Sequence, residues 1–303
     1  MNRSTINWVD RLIKALRKAV ESIKLVQYYK SGNKLLGLCH AKEITPLPFS
    51  FEEVVSMVMD HKEKEIHSSI KNSDSKPEKA PIHYAPCVPP YCKIIGVGLN
   101  YKSHIKESGL PIPKFPVLFS KFGNTLSAHL EDVVLPSVSK EFDYEGELGV
   151  IIGRKAKNIS VKKTLDYVLG YCNANDLSSR DLQFRTPQGL VGKNLNGFCP
   201  IGPYIVTREE VKDPNNLMIK TYVNGAVRQQ SNTNDMVFNV EEIVSYVSHY
   251  MTLEPGDIIL TGTPAGVILG QSKEKRNWLK AGDQVTVEIE KLGSLTNRLV
   301  NED

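Results

Sequence analysis

From residue 93 onward the chain is a succession of short strand-like runs without regular strand–helix alternation, and this limits its fold more than any other feature. The runs fall at 93–99, 117–120, 132–135, 142–152, 204–206, 218–223, 257–260 and 284–290. Each is rich in apolar and β-branched residues and bounded by turn formers. Asn224-Gly225, set between two such segments, signals a hairpin, because both turn positions need positive φ. Helices are fewer. One is predicted over 161–169, ending at Gly170, and one over 240–251, with Asn239 as its cap and Glu242 at the third helical position. The expectation is an α+β, β-rich fold rather than a doubly wound parallel sheet.

The first ninety residues read differently. Val9, Leu12, Ile13, Leu16, Val20 and Ile23 recur at helical spacing within 8–26, with Arg11, Lys14, Arg17 and Lys18 mostly opposite. Packing on the protein's own core or on a partner subunit is the expected use of that helix; a membrane surface is the alternative. A second helix is predicted from Ser50, with Glu53 completing a capping box. A polar stretch over 61–79 follows, and prolines from Pro81 to Pro90 hold the chain extended. The predicted organisation is a small N-terminal α/β module with linker over 1–90 and a catalytic domain over 91–303.

The 303 residues carry 38 Lys and Arg against 34 Asp and Glu. That surplus is small and forms no basic stripe interleaved with aromatics, so no nucleic-acid partner is expected. No apolar run reaches the roughly 18 residues of a membrane span, and no signal peptide is evident, which makes the cytoplasm the expected location. The five cysteines show no paired CxxC spacing and read as reduced thiols.

The stretch Phe142-Asp143-Tyr144-Glu145-Gly146-Glu147-Leu148-Gly149-Val150-Ile151-Ile152 carries the chemistry. Residues two apart in a strand share a face, so Glu145 and Glu147 point the same way with Cα atoms roughly 6.6 Å apart. Leu148, Val150 and Ile152 then point into the core. Adjacent like charges repel, and a hard cation such as Mg²⁺, Mn²⁺ or Ca²⁺ would compensate them. A solvated acidic face is the alternative. Asp176 ends a second strand-like run, where a metal ligand is well placed; an N-cap role, with Ser178 and Ser179 following, is its alternative.

Five motifs in order are similar to the fumarylacetoacetate hydrolase family: 98–107 from Gly98 through His104 to Glu107, 143–148 around Glu145 and Glu147, 175–181 around Asp176, Lys193 before 197–200, and 261–267 opening on Thr261-Gly262-Thr263. The resemblance covers about two thirds of the chain. It implies a mixed β-roll or sandwich, a homodimer, and Mg²⁺ or Mn²⁺ held by Glu145, Glu147 and Asp176. It further implies a small 2-oxo or dioxo acid chelated by its keto and carboxylate oxygens, with the metal stabilising an enolate. His104 and Glu107, three residues apart, share a helical face and become a base and its orienting carboxylate on a lid. Lys193 is the third catalytic candidate. Arg180, Gln183, Thr261, Gly262 and Thr263 are the substrate-binding candidates, with a salt bridge to Asp181 or another acid as the alternative for Arg180.

The expected activity is metal-dependent hydrolysis of a C–C bond in a 2,4-dioxo acid of the acylpyruvate or fumarylpyruvate type. Alternatives are decarboxylation of an oxaloacetate-like acid and isomerisation of the 2-hydroxyhepta-2,4-diene-1,7-dioate or 5-carboxymethyl-2-hydroxymuconate type; a non-catalytic metal-binding protein is a further one. The chain departs from many relatives at Asn194-Leu195-Asn196 and at Phe122, which puts the particular substrate in question.

Overall fold

The computed structural model describes residues 24–40, 43–49, 51, 53, 78–79, 83–208 and 210–302. The predicted helix over 8–26 lies outside them except at its end, where Lys24, Leu25 and Val26 open a strand, Lys24–Lys30. Pairing overrides helical spacing here: the strand runs against Asn33–His40 along its whole length and reaches Cys199–Thr207 at Lys24 and Leu25. Leu25 and Val26 are buried in different clusters, as strand alternation requires. The helix predicted from Ser50 lies outside the described residues apart from Phe51, which is buried, and Glu53.

A twelve-stranded mixed sheet and a five-stranded sheet make up most of the molecule, the α+β, β-rich architecture expected. At the heart of the larger sheet, Gly146–Ile152 lies between Val168–Asn175 and Ile258–Leu260, antiparallel to both. Ile258–Leu260 runs parallel to Ile94–Gly98, which pairs with Val117–Lys121. On the opposite side Val168–Asn175 leads to Cys199–Thr207 and so to the N-terminal strands. The smaller sheet orders Ala226–Asn232, Met218–Val223, Gln284–Ile289, Gly293–Asn301 and Val133–Leu135. Asn224-Gly225 forms the expected turn, with Val223 facing Ala226.

Leu148, Val150 and Ile152 pack with Ile219, Val287, Ile289 and Leu295 of the smaller sheet and with the inward face of the helix Val240–Tyr250. Ile151 joins a second cluster on the other face with Leu25, Leu36 and Ile258. Gly146–Ile152 is therefore buried on both faces, which explains its near-continuous apolar run. Each large aliphatic side chain buried there contributes about 1.5–3 kcal/mol. Asn239 accepts from Glu242 N, as the cap read from the sequence requires, and Glu242 in turn accepts from Asn239 N, which completes a capping box. The segment predicted as a helix over 161–169 is a 3₁₀ turn, Val161–Tyr167, because Val168 and Leu169 already belong to the buried strand.

Candidate metal centre and active-site cavity

Register brings the acids together. Gly146 pairs with Asn175, so the start of one central strand meets the end of its neighbour. Glu145 N donates to Asn175 Oδ1, and Asp176 N donates to Glu145 O. Glu145, Glu147 and Asp176 are all buried, with one carboxylate oxygen from each within 4.8 Å of the others. Sequence spacing alone could not bring Asp176 to this point; the antiparallel pairing does.

Three cations answer these charges. Lys193 Nζ lies 2.8 Å from Glu145 Oε2 and 2.6 Å from Asp176 Oδ2. Arg180 bonds Glu145 Oε1 at 2.7 Å and Asp143 Oδ2 at 2.8 Å. Lys121, which the sequence did not single out, places Nζ 2.6 Å from Asp176 Oδ1 and also donates to the carbonyls of Leu177 and Lys193. Its signal in sequence is a lone lysine in an apolar strand, 55 residues from its partner. Asp143 further accepts from the amides of Ile268 and Leu269, which ties the 266–270 loop to the site.

Glu147 is the exception. It accepts from Gly262 N at 2.7 Å, and among the described residues no cation lies within ion-pair distance of it. Burial, then the neighbouring Asp176 and Glu145, push its pKa well above the ordinary carboxylate range. Burial acts the same way on Glu145, but Lys193 and Arg180 win there and hold it at about 2. Against its own burial, Lys193 is raised by Asp176 and Glu145. Four carboxyl groups thus face three cations, and Glu147 is the one left without a counter-charge. All-oxygen donors around an uncompensated carboxylate fit a hard divalent cation; each carboxylate has about four lone-pair sites, so the lysine contacts leave room for coordination.

The expected dyad is formed on the helix Lys102–Ser108, where His104 Nδ1 lies 2.8 Å from Glu107 Oε1. Gly266 N also donates to Glu107, fixing the carboxylate from the other side. His104, Glu107, Glu145, Glu147, Arg180 and Lys193 all line one cavity of about 920 Å³. Gln183 lines it too and accepts from Arg180 Nη1 at 2.9 Å. Arg180 therefore pairs with Asp143 and Glu145, whereas Asp181 is held by Ser139 and Ser179.

The loop over 261–263 is committed mostly to the protein. Gly262 N serves Glu147, in a backbone with φ 97° where an added Cβ would come within 2.8 Å of Asn100 Cβ. Thr263 Oγ1 donates to Gly146 O and accepts from Gln229, while its residue lines the cavity. The Thr261 side chain is buried away from the cavity wall, and Thr261 O accepts from Asn100. Asn100 and Gln229 are positioning residues that sequence reasoning passed over, since each acts through backbone groups remote in the chain.

Residues 93–300 match the family described as "Fumarylacetoacetate (FAA) hydrolase C-terminal". The chain is 46% identical over 209 residues to a Rattus norvegicus protein named "Oxaloacetate tautomerase Fahd2a, mitochondrial", covering 69% of this chain and 66%, just under two thirds, of that one. It is 42% identical over 281 residues to "Fumarylacetoacetate hydrolase domain-containing protein 2 homolog" of Dictyostelium discoideum, covering 88% and 90% of the two. The solved structure of a fumarylacetoacetate hydrolase from psychrophilic Exiguobacterium antarcticum superposes with TM-score 0.81 at 32% identity, over 93% of this chain and 100% of that one. With the fold, the order of motifs and these matches in agreement, the chain belongs to the fumarylacetoacetate hydrolase family.

Proposed function

We propose that this chain is a divalent-metal-dependent enzyme that interconverts the keto and enol forms of an oxaloacetate-like 2-oxo acid. The observation that carries the reading is the His104–Glu107 pair in the same cavity as Glu145, Glu147 and Lys193. Moving a proton between a carbon and the neighbouring carbonyl oxygen needs a base, an orienting partner and a sink for negative charge. The 46% identity to a tautomerase supports this order over the hydrolysis expected from the motifs.

Glu145, Glu147 and Asp176 would hold Mg²⁺ or Mn²⁺, which supplies Lewis-acid polarisation of a 2-oxo group. His104 takes the proton from the carbon beside that group, leaving the electron pair in the enolate, and delivers it to the oxygen; the reverse reaction runs the same steps backwards. Glu107, fixed by Gly266 N, keeps one ring nitrogen engaged so that the other faces the cavity. Lys193 brings a positive charge to the developing oxyanion without leaving Glu145 and Asp176. A cavity of about 920 Å³ exceeds the needs of a four-carbon acid. That room favours a second reading, cleavage of a longer acylpyruvate, in which His104 would activate water instead.

The test adds enol-oxaloacetate to the purified protein with Mn²⁺ and follows loss of the enol ultraviolet band. Faster loss than in buffer with metal alone is expected. Acylpyruvate cleavage with no effect on the oxaloacetate band would reverse the order of the two readings.

A further inference from the structure

Among the described residues three cations line the cavity, and two are already neutralised: Arg180 by Asp143 and Glu145, Lys193 by Glu145 and Asp176. The third, Arg276, differs. Among the described residues no carboxylate lies within ion-pair distance of it, and its terminal guanidinium nitrogens make no hydrogen bond. Glu274, two residues earlier, is lowered chiefly by bonds from its own backbone and from Ser272, with Arg276 the least of the causes.

Arg276 is nevertheless held in place. Its Nε donates to Gln271 O at 3.0 Å, and its guanidinium carbon lies 5.9 Å from the centre of the Trp278 ring. A backbone carbonyl and an indole face orient a cation without cancelling its charge. Trp278 is partly buried and packs in turn on the cluster containing Phe142, Phe198 and Leu279, so the platform is anchored to the core.

The segment leading to Arg276 starts at the dyad. At Gly270 an added Cβ would lie 2.5 Å from Glu107 Cδ, so this loop runs directly against the Glu107 carboxylate. From there the chain follows the cavity wall through Leu269, Gly270 and Gln271 to Arg276. Gln183 and Gln188 add neutral hydrogen-bonding groups to the lining.

An ordered, unneutralised guanidinium on the wall of a cavity is suited to bidentate pairing with a planar anion. We propose that Arg276 anchors a second carboxylate, so that the cavity selects 2-oxo dicarboxylates over monocarboxylates of the same length. The inference rests on the proposed function only in placing the 2-oxo-carboxylate end at the acidic triad.

The test measures binding rather than turnover, using 2-hydroxy acids that cannot enolise. Calorimetry with Mn²⁺ present compares malate with 2-hydroxybutanoate, which has the same carbon chain and one carboxylate. The unmodified protein is expected to prefer malate. Arg276→Gln should weaken malate at least tenfold and leave 2-hydroxybutanoate unchanged, while Arg276→Lys should recover part of the loss. No malate preference in the unmodified protein, or equal losses for both acids, overturns the proposal. If oxaloacetate is not tautomerised but malate binding still depends on Arg276, the functional reading fails and the anchor stands. Tautomerisation with malate binding indifferent to Arg276 removes the anchor alone.

Discussion

Replacing Lys121 with methionine keeps much of the side chain's length and removes its charge from the bottom of the site. Lys121 Nζ lies 2.6 Å from Asp176 Oδ1, with both side chains at zero exposure. At that separation and an effective dielectric of about 20, the attraction is about 6 kcal/mol. Desolvation of the two ions offsets much of it, and deleting one partner of a buried pair costs about 3–5 kcal/mol. Each kcal/mol moves the melting temperature by about 2–4 °C in domains of 150–250 residues, and by less in a larger chain. Metal-free Lys121→Met should therefore melt roughly 5–10 °C below the unmodified protein. Its centre then holds four carboxylates against two cations, so Mn²⁺ should raise its melting temperature more than that of the unmodified protein. Thermal melts with and without chelator measure both effects. Arg298→Met serves as the control, because its bond to Asp132 is at the surface, with side chains 62% and 43% exposed, and is worth about 0–1 kcal/mol. An unchanged metal-free melting temperature for Lys121→Met, or equal losses for the two variants, would refute the reasoning.

Glu147→Gln should lower Mn²⁺ affinity by more than about 100-fold, beyond the 10–100-fold that follows loss of a supporting group; calorimetry showing unchanged affinity would remove Glu147 from the ligand set. His104→Ala should keep Mn²⁺ affinity and lose about 10²–10⁴ in the rate of proton transfer, while metal-assisted decarboxylation, which needs no base, survives; full tautomerase or hydrolase rate in this variant contradicts the base role. Burial lowers the pKa of His129 to about 4, and Thr296 N donates to its Nδ1 at 3.0 Å. An exposed imidazole titrates near 6.5, so below about 6.5 the unfolded chain takes up a proton that the folded chain refuses, and stability should fall as pH drops toward 4. His129→Gln should flatten that slope in melts across the interval; parallel slopes would exclude His129 as its source.

The parts of the site legible in sequence are those whose chemistry is local. Glu145, the residue just before the strand Gly146–Ile152, and Glu147 within it are two apart in extended chain, and His104 and Glu107 are three apart on a helix, so periodicity alone puts each pair on one face. Asp176 needed the register that pairs Gly146 with Asn175. Lys121 was illegible because its partner lies 55 residues away and a lysine in a strand ordinarily reaches solvent. Arg276 was hidden for the opposite reason: it ends the charged run Lys273-Glu274-Lys275-Arg276, which reads as a solvated turn. In the fold, Gly293–Asn301 escaped notice because its inward positions include Asn297 beside Leu295 and Leu299. There the Asn297 amide donates to the carbonyls of Ala128 and Glu131. A buried polar side chain with such partners breaks the apolar alternation without breaking the strand.

Charge balance links the two ends of the cavity. Outside the His104–Glu107 pair, and with Glu147 ionised as a metal ligand would be, Asp143, Glu145, Glu147 and Asp176 against Lys121, Arg180 and Lys193 leave one negative charge among the protein groups of a buried site. A bound dication would reverse that to one positive charge, which a single substrate carboxylate neutralises. A second carboxylate brought to the same place would be unpaired in a poorly solvated site, at a cost of several kcal/mol. It needs a cation of its own at some distance, and among the described residues Arg276 is the cavity-lining cation with no carboxylate at ion-pair distance. The triad and dyad then decide which bond chemistry is possible, and they are set by central strands and by one helix anchored through Ile105. Selection among acids falls to a loop residue held by a carbonyl and an indole. Substrate preference can therefore change through the 271–278 segment while the metal ligands, and the stability invested in them, stay as they are.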